Sequence, residues 1–500
     1  MSSPERETRA AVRLPSVLAI GFTGHRTLPD EAKCRRCIRD FLAKRKVATP
    51  GVAVYGVSSA AAGGDLLFAE TCLELGIPLR ILLPLRMEHF RSDFDPATWQ
   101  RVEHVLKNAM SVEVTGNYNS RDEAYFECGI QTVQQSQMLV ALWDGEKARG
   151  VGGTADVVLF AEKMGKPVFW FHTQTGAAQV LHEKAMDRLL HDPELDFLSN
   201  LPDEGMNPGN APAELVRAWF NKLDANASRV APDVRRRASI PIVCNAAAAL
   251  CGAVALQGKA IAAWVAASAA LGITAAAFPA LLRLDQRQTF WARTRTAAEV
   301  CRSTLAMWGT PHLDNVIGDE IIPELSGMLM SLNFLKMKDG ARHQPSLEEF
   351  KRKYREERLL GQIEYFSTHS ESSGRQGRRF RLITWLCASV AVLFAGAWLA
   401  GKIGVGGASM SSGVRWFALG ISTLFQVATV ASALAIVHDC NRRQQRFREL
   451  ADWLKQWDAE LDALITWPSV LSVAGRIEKA LLVELLEWRS LIRHARPPRK

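Results

Sequence analysis

Residues 141–171 read ALWDGEKARGVGGTADVVLFAEKMGKPVFWF. An apolar run ends at Trp143, a loop follows with Gly150, Gly152 and Gly153, Thr154 opens a helix, and residues 167–171 form a second apolar run. Strand, helix and strand in this order predict one βαβ unit. Parallel strands so joined are covered on both faces and read as continuous apolar runs. A glycine turn feeding a helix leaves backbone N–H groups unpaired at the positive end of the helix dipole. Such a place suits a phosphate.

Outward from this unit, toward the N-terminus, the same alternation repeats. Residues 17–22 (VLAIGF) predict a first strand that ends in Thr23-Gly24-His25-Arg26, and Pro29 and Asp30 start a helix to about residue 44. Residues 52–57 predict a second strand, 58–65 (SSAAAGGD) a small-residue turn, 66–75 a helix and 79–83 a third strand. Helices are expected over 98–109 and 125–135. The pattern predicts an α/β, Rossmann-like, doubly wound parallel sheet. In such sheets ligands lie beyond the carboxyl ends of the strands, where the connections diverge. Three small-residue loops fall at such ends: Gly24-His25-Arg26, Ala62-Gly63-Gly64-Asp65, and Gly150 with Gly152, Gly153 and Thr154. Neither GxGxxG nor a P-loop lysine is present. Cys34-Arg-Arg-Cys37 has metal or redox spacing, but no second pair or histidine cluster joins it, so a reduced helix and no metal are expected.

The three loops, in this order, resemble the SLOG superfamily over about residues 15–175. That group spans the LOG-type phosphoribohydrolases, the DprA-type Rossmann proteins and many sensors of prokaryotic conflict systems. The resemblance implies binding of a nucleotide or nucleotide-derived signal, with no cofactor. Gly152, Gly153 and Thr154 would cradle its phosphate, Gly63, Gly64 and Asp65 would border base or ribose, and Arg26 would add a charge-assisted contact. One departure bears on activity. The LOG-type enzymes carry Pro-Gly-Gly-x-Gly-Thr-x-x-Glu, whereas residues 149–157 here lack the proline and place Val157 where the glutamate is expected. Asp156 would point about 100° away on the helix. Binding is therefore expected over hydrolysis, with no catalytic residue assigned. The alternative is a nucleotide N-glycosidase that uses Glu127, Asp144 or Asp156.

Beyond residue 175 a connector to 234 is expected, with helices over 178–190 and 213–223, and then the composition shifts. Uncharged runs of 20, 23, 20 and 22 residues cover 238–257, 260–282, 382–401 and 416–437. A run of about 20 apolar residues is long enough to cross a bilayer. Four transmembrane helices in two hairpins are expected, with long cytosolic helices over 286–307, 347–369, 441–465 and 472–494. The boundaries so drawn are 1–175, 176–234, 235–375 and 376–500.

The net charge of +9 concentrates in arginines at 235–237, 375–381 and 442–448, beside the apolar runs. That placement suits the cytoplasmic side of membrane spans rather than a nucleic-acid surface, and puts both termini in the cytoplasm. The polar N-terminus lacks a signal-peptide core, so secretion is not expected. Paired spans followed by cytosolic helices look like the SLATT family of membrane effectors, often linked to SLOG sensors. Together the resemblances imply a multi-pass protein of the bacterial inner membrane that senses a nucleotide-type molecule, forms a homo-oligomer and opens a pore in antiviral defence. A nucleotide-gated ion channel is the further alternative.

Overall fold

A computed structural model describes residues 12–49, 51–116, 118, 120–147, 152–186, 189, 192–203, 208–255, 260–281, 284–311, 322–340, 345–403 and 412–494. The chain divides into two compact units, one of Met1–Lys222 with Cys301–Pro345, the other of Leu223–Val300 with Ser346–Lys500.

The first unit holds the sheet. Its strands are β1 (Ser16–Gly24), β2 (Val52–Ser58), β3 (Leu79–Leu83), β4 (Ser111–Val114), β5 (Met138–Trp143), β6 (Val168–His172) and β7 (Ala178–Leu181), in spatial order β4-β3-β2-β1-β5-β6-β7. Neighbours pair in parallel except β6 with β7. The helices between them are α1 (Glu31–Ala48), α2 (Gly64–Glu74), α3 (Met87–Arg91), α4 (Pro96–Asn108), α5 (Arg121–Gln134) and α6 (Thr154–Lys163); α7 (Glu183–Met186) and α8 (Pro193–Ser199) follow β7. Asp30, Asp95 and Ser120 cap α1, α4 and α5 by accepting from backbone N–H groups of the first turn. Side chains alternate between the two faces of each strand. Leu18, Ile20 and Phe22 of β1 pack with Ile38 and Leu42 of α1 and Leu66 and Phe68 of α2, while Val17 and Ala19 face the other way.

The expected sheet is present and mostly parallel, with three differences. Residues 178–190 are not one helix. Gly176, at φ +74°, turns the chain back so that His172 N–H donates to Ala177 O at 2.9 Å, and β7 pairs with β6 instead. The polar loop after β3 contains α3, and a further strand, β4, extends the sheet edge.

The remaining helices are α9 (Pro212–Ala255), α10 (Ile261–Leu281), α11 (Leu284–Ala306), α12 (Ser326–Gly340), α13 (Leu347–Tyr354), α14 (Leu360–Ile403), α15 (Ser412–Val437), α16 (Cys440–Ala463) and α17 (Trp467–His494), with a π turn at Arg355–Leu359 between α13 and α14. Helix α12 belongs to the sheet unit. Its Met330, Phe334 and Met337 form one cluster with Val17, Ala19, Tyr55, Val57 and Leu82, and Ser331 Oγ donates to Pro15 O at 2.7 Å. In the second unit α16 runs back along the N-terminal part of α14, where Ser370 Oγ donates to Gln444 O at 2.8 Å and Phe366 packs on Phe447.

Three helical stretches among the described residues, not four, are long and apolar enough to cross a membrane: Pro212–Ala255, Leu347–Ala397 and Trp416–Ala463. The second expected span falls on α10, whose apolar stretch among the described residues is Ile261–Ala277. Only 11%, 6% and 11% of the residues in the three apolar windows are buried, which sets them apart from core helices of a soluble bundle. Trp385 and Leu393, for instance, are each 71% exposed. Interhelical polar contacts join Thr384 Oγ1 to Ser432 Oγ at 3.1 Å and Ser268 Oγ to Ala248 O at 2.8 Å.

Candidate functional site

The chain leaves β1 toward β2 on one side and β5 toward β6 on the other, so the β1–β5 pair is the point where the connections diverge. That is where an open α/β sheet places a ligand. Gly24 ends β1, His25 and Arg26 follow it, and Asp144 follows β5.

The first two small-residue loops meet backbone to backbone. Gly64 N–H donates to His25 O at 2.9 Å, and a Cβ built on Gly24 would lie 3.1 Å from Gly64 Cα. Gly63 has φ +87°, and a Cβ there would come within 2.3 Å of Arg26 O and 2.4 Å of His25 O. Both the left-handed backbone and the close approach require glycine. Asp65 locks the junction: Oδ2 accepts Gly24 N–H at 3.1 Å and Oδ1 accepts Ser59 Oγ–H at 2.9 Å. Its side chain is buried, whereas Ala62 and Gly63 are partly exposed. The acidic side chain thus shapes the loop from behind.

Burial pushes the Asp65 carboxyl up to about 7, against the hydrogen bonds from Ser59 and Gly24 that favour the ionised form. Because the folded value lies above the ordinary 3.8, the protonated form is the one the fold favours. The stabilisation is complete below the ordinary value and is lost as pH rises through about 7. The gap corresponds to at most about 4 kcal/mol. Asp65→Asn keeps an acceptor for Gly24 N–H and removes the titration. Melting temperatures of the two proteins in detergent, from pH 4 to pH 8, are expected to diverge in the mutant's favour as pH rises. Parallel profiles would contradict this placement of Asp65.

His25 and Asp144 pair across the β1–β5 boundary. The His25 Nε2 atom lies 2.9 Å from Asp144 Oδ1 and 3.1 Å from Asp144 N. A ring protonated at Nε2 donates to the carboxylate, whereas a ring with its proton on Nδ1 accepts the backbone N–H. The two contacts therefore belong to alternative proton positions. Arg26 is exposed, its guanidinium 4.5 Å over the Tyr125 ring, and among the described residues it has no carboxylate at ion-pair distance. Tyr125 is fixed in turn by donating its hydroxyl to Asp93 Oδ2 at 2.7 Å, and Arg121 pairs with the same carboxylate.

The third loop reaches this group through α5. Gly152, at φ +84°, sits so close to Phe126 that a Cβ would lie 2.9 Å from Phe126 N, and Phe126 is the neighbour of Tyr125. Gly153 is the N-cap of α6 and Thr154 its first residue, buried. Gly152 N–H is already used, donating to Asp156 Oδ2 at 3.1 Å. Among the described residues the N–H groups of Gly153, Thr154 and Ala155 have no acceptor and are open to an anion, and Asp156 places a negative charge beside them. Gly150 lies outside the described residues.

Val157, at the position of the glutamate in the LOG-type pattern, is 2% exposed and packs against α5 at Gly129, where a Cβ would stand 2.5 Å from Val157 Cγ2. A carboxylate at 157 would be buried among Val133, Leu139 and Val158. Among the described residues no group of His, Cys, Asp and Glu could hold a metal ion, and Cys34 and Cys37 are free thiols on α1.

Sequence reasoning did not single out Ser59, Asp93, Arg121 or Tyr125. Ser59 lay within the 58–65 turn and Tyr125 at the start of the expected 125–135 helix; Arg121 and Tyr125 support the site from α5, and Asp93 from the loop after α3. No protein-family model matches the chain, and no curated protein matches it.

Proposed function

We propose that this is a membrane-anchored sensor and effector, in which a nucleotide-derived signal binds at the β1–β5 edge and drives pore formation or membrane disruption in bacterial antiviral defence. The observation that carries the reading is one chain holding both parts: a diverging sheet edge with Arg26 on the Tyr125 ring and Gly152, just before α6, against the neighbouring Phe126, and three helices long and apolar enough to cross a membrane. Ligand phosphate sits on the N–H groups of Gly153 and Thr154, Arg26 supplies the charge-assisted contact, and the Tyr125 ring holds that guanidinium in place. The burial of Val157 favours binding over N-glycosidic cleavage, since the place of the expected glutamate faces α5.

The basic residues beside the apolar runs favour the bacterial inner membrane, with both termini in the cytoplasm. The shorter helix α10 serves as the return limb to α9, tied by the Ser268–Ala248 hydrogen bond. A homo-oligomer supplies the subunits that a pore needs. Ligand opens it only by binding the open form more tightly than the closed one.

The test is ion flux from liposomes that contain the full chain, across mononucleotides, cyclic oligonucleotides and ADP-ribose derivatives. One class is expected to trigger flux in the wild type and none in Gly153→Asp, whose carboxylate opposes an anion at the helix start. Flux that no compound changes, or that Gly153→Asp leaves intact, would end this reading.

A further inference from the structure

A cavity of about 670 Å³ lies wholly within the second unit, where apolar helix gives way to charged helix. Val437, the last residue of α15, is on its wall, and His438 and Asp439 follow at the break before α16, with Asp439 at φ +48°. On the α9 side the wall reaches Ala238, the first residue of an uncharged run.

Three guanidinium groups, those of Arg295, Arg443 and Arg446, line this space together with His438. Arg295 is held by Asp224 Oδ1 at 2.6 Å, and Arg446 pairs with Glu484. Both are thereby oriented before any ligand arrives. Arg443 differs. Its guanidinium lies 5.3 Å over the Phe447 ring, and among the described residues no carboxylate comes within ion-pair distance of it. Asp439, one turn earlier on the same wall, makes no ion pair with it among the described residues. Glu299 also borders the cavity, but its Oε1 is 2.8 Å from the buried Arg358. Trp291 and Tyr365 supply aromatic surface to the same cavity.

We infer that this cavity binds a phosphate-bearing amphiphile, with the phosphate on Arg443 and Arg446 and the apolar part against Trp291 and Tyr365. A planar guanidinium fork matches phosphate oxygens two at a time, and a guanidinium resting on an aromatic face is already desolvated on one side. A pocket whose Arg443 has no carboxylate partner among the described residues, at the end of membrane-length helices, has the chemistry to hold an anionic headgroup. The same chemistry would accept a soluble nucleotide monophosphate. The site uses no residue of the sheet edge, so its success or failure is independent of the sensor reading.

The test is native mass spectrometry of the full chain in detergent, with phosphatidylglycerol, phosphatidylcholine, AMP and inorganic phosphate as separate probes. Arg443→Gln is compared with Arg448→Gln, which removes an exposed charge from the same helix outside the cavity. Retention of phosphatidylglycerol is expected to weaken about tenfold in Arg443→Gln and to stay unchanged in Arg448→Gln. Arg443→Lys serves as the second variant and is expected to lose a smaller factor, because a point charge replaces the fork. Selective loss of lipid supports the site with a headgroup as its source, and selective loss of AMP supports it with a soluble source; retention of inorganic phosphate alone overturns the amphiphile. Failure of the wild type to retain any probe over phosphatidylcholine, or equal loss in Arg443→Gln and Arg448→Gln, overturns it.

Discussion

A chain cut after residue 230, which keeps every strand of the sheet but lacks α12, is expected to lose cooperative folding. Helix α12 covers the face formed by Val17, Ala19, Tyr55, Val57 and Leu82, and its Met330, Phe334 and Met337 are 7%, 8% and 1% exposed. Burying each such side chain contributes about 1.5–3 kcal/mol, so the three together contribute roughly 5–9 kcal/mol. That is comparable to the whole stability of an ordinary domain. The polar contacts Ser331 Oγ to Pro15 O and Lys336 Nζ to Thr310 Oγ1, at 2.7 and 3.2 Å, are buried or part-buried. The check compares circular-dichroism melting of the 1–230 fragment with the same fragment joined by a flexible linker to residues 301–345. The linked form is expected to melt cooperatively, and the short one to associate through its bare sheet face. Equal melting of the two would refute the packing of α12.

The second large effect is expected at Arg358. This residue lies on the π turn between α13 and α14 and is 3% exposed. Its Nε donates to Glu478 Oε1 at 2.9 Å and its Nη2 to Oε2 at 2.7 Å, while Glu299 Oε1 lies 2.8 Å from Nη2. The Tyr354 hydroxyl adds a fourth contact, donating to Glu478 Oε1 at 2.9 Å. Burial alone would lower the guanidinium's affinity for its proton, but the two glutamates more than offset this and hold it charged. Replacing Arg358 by Met leaves two buried carboxylates without their shared cation, and a loss of about 3–5 kcal/mol is expected. Arg358→Met with Glu478→Leu should lose less than the sum of the single changes, since the second change removes one stranded charge. Chemical denaturation of the four proteins measures this coupling. Strictly additive losses would mean that the three charges act independently.

The sheet was legible because its inner strands are buried on both faces. Residues 17–22, 52–57, 79–83 and 138–143 are apolar runs between turn residues, and β1, β2, β3 and β5 begin and end within two residues of them. Strand β4 was not legible: its four residues, SVEV, form a sheet edge with Val112 and Val114 exposed. Helix α12 gives no apolar stripe because it is buried nearly all round, from Met328 to Met337. At the site, the glycines could be read from their loops, but the His25–Asp144 pair could not, since it joins residues 119 positions apart. Nor does sequence show that Asp65 turns inward to cap Gly24 N–H, or that Asp156 takes the Gly152 N–H. The Asp65 and His25 pairings depend on how loops from different strands meet, and the Asp156 contact on the turn that Gly152 makes into α6.

The β1–β5 edge is proposed to bind a nucleotide-type phosphate. The most direct test is thermal melting of the full chain in detergent against mononucleotides, cyclic oligonucleotides and ADP-ribose derivatives, for the wild type and for Arg26→Ala. A ligand that binds only the folded state at about 100 times its Kd stabilises it by about 2.7 kcal/mol. The expected result is a selective rise in melting temperature with one class of compound, largely lost in Arg26→Ala. A wild type that melts at one temperature with every compound, or a rise that Arg26→Ala keeps in full, would contradict it.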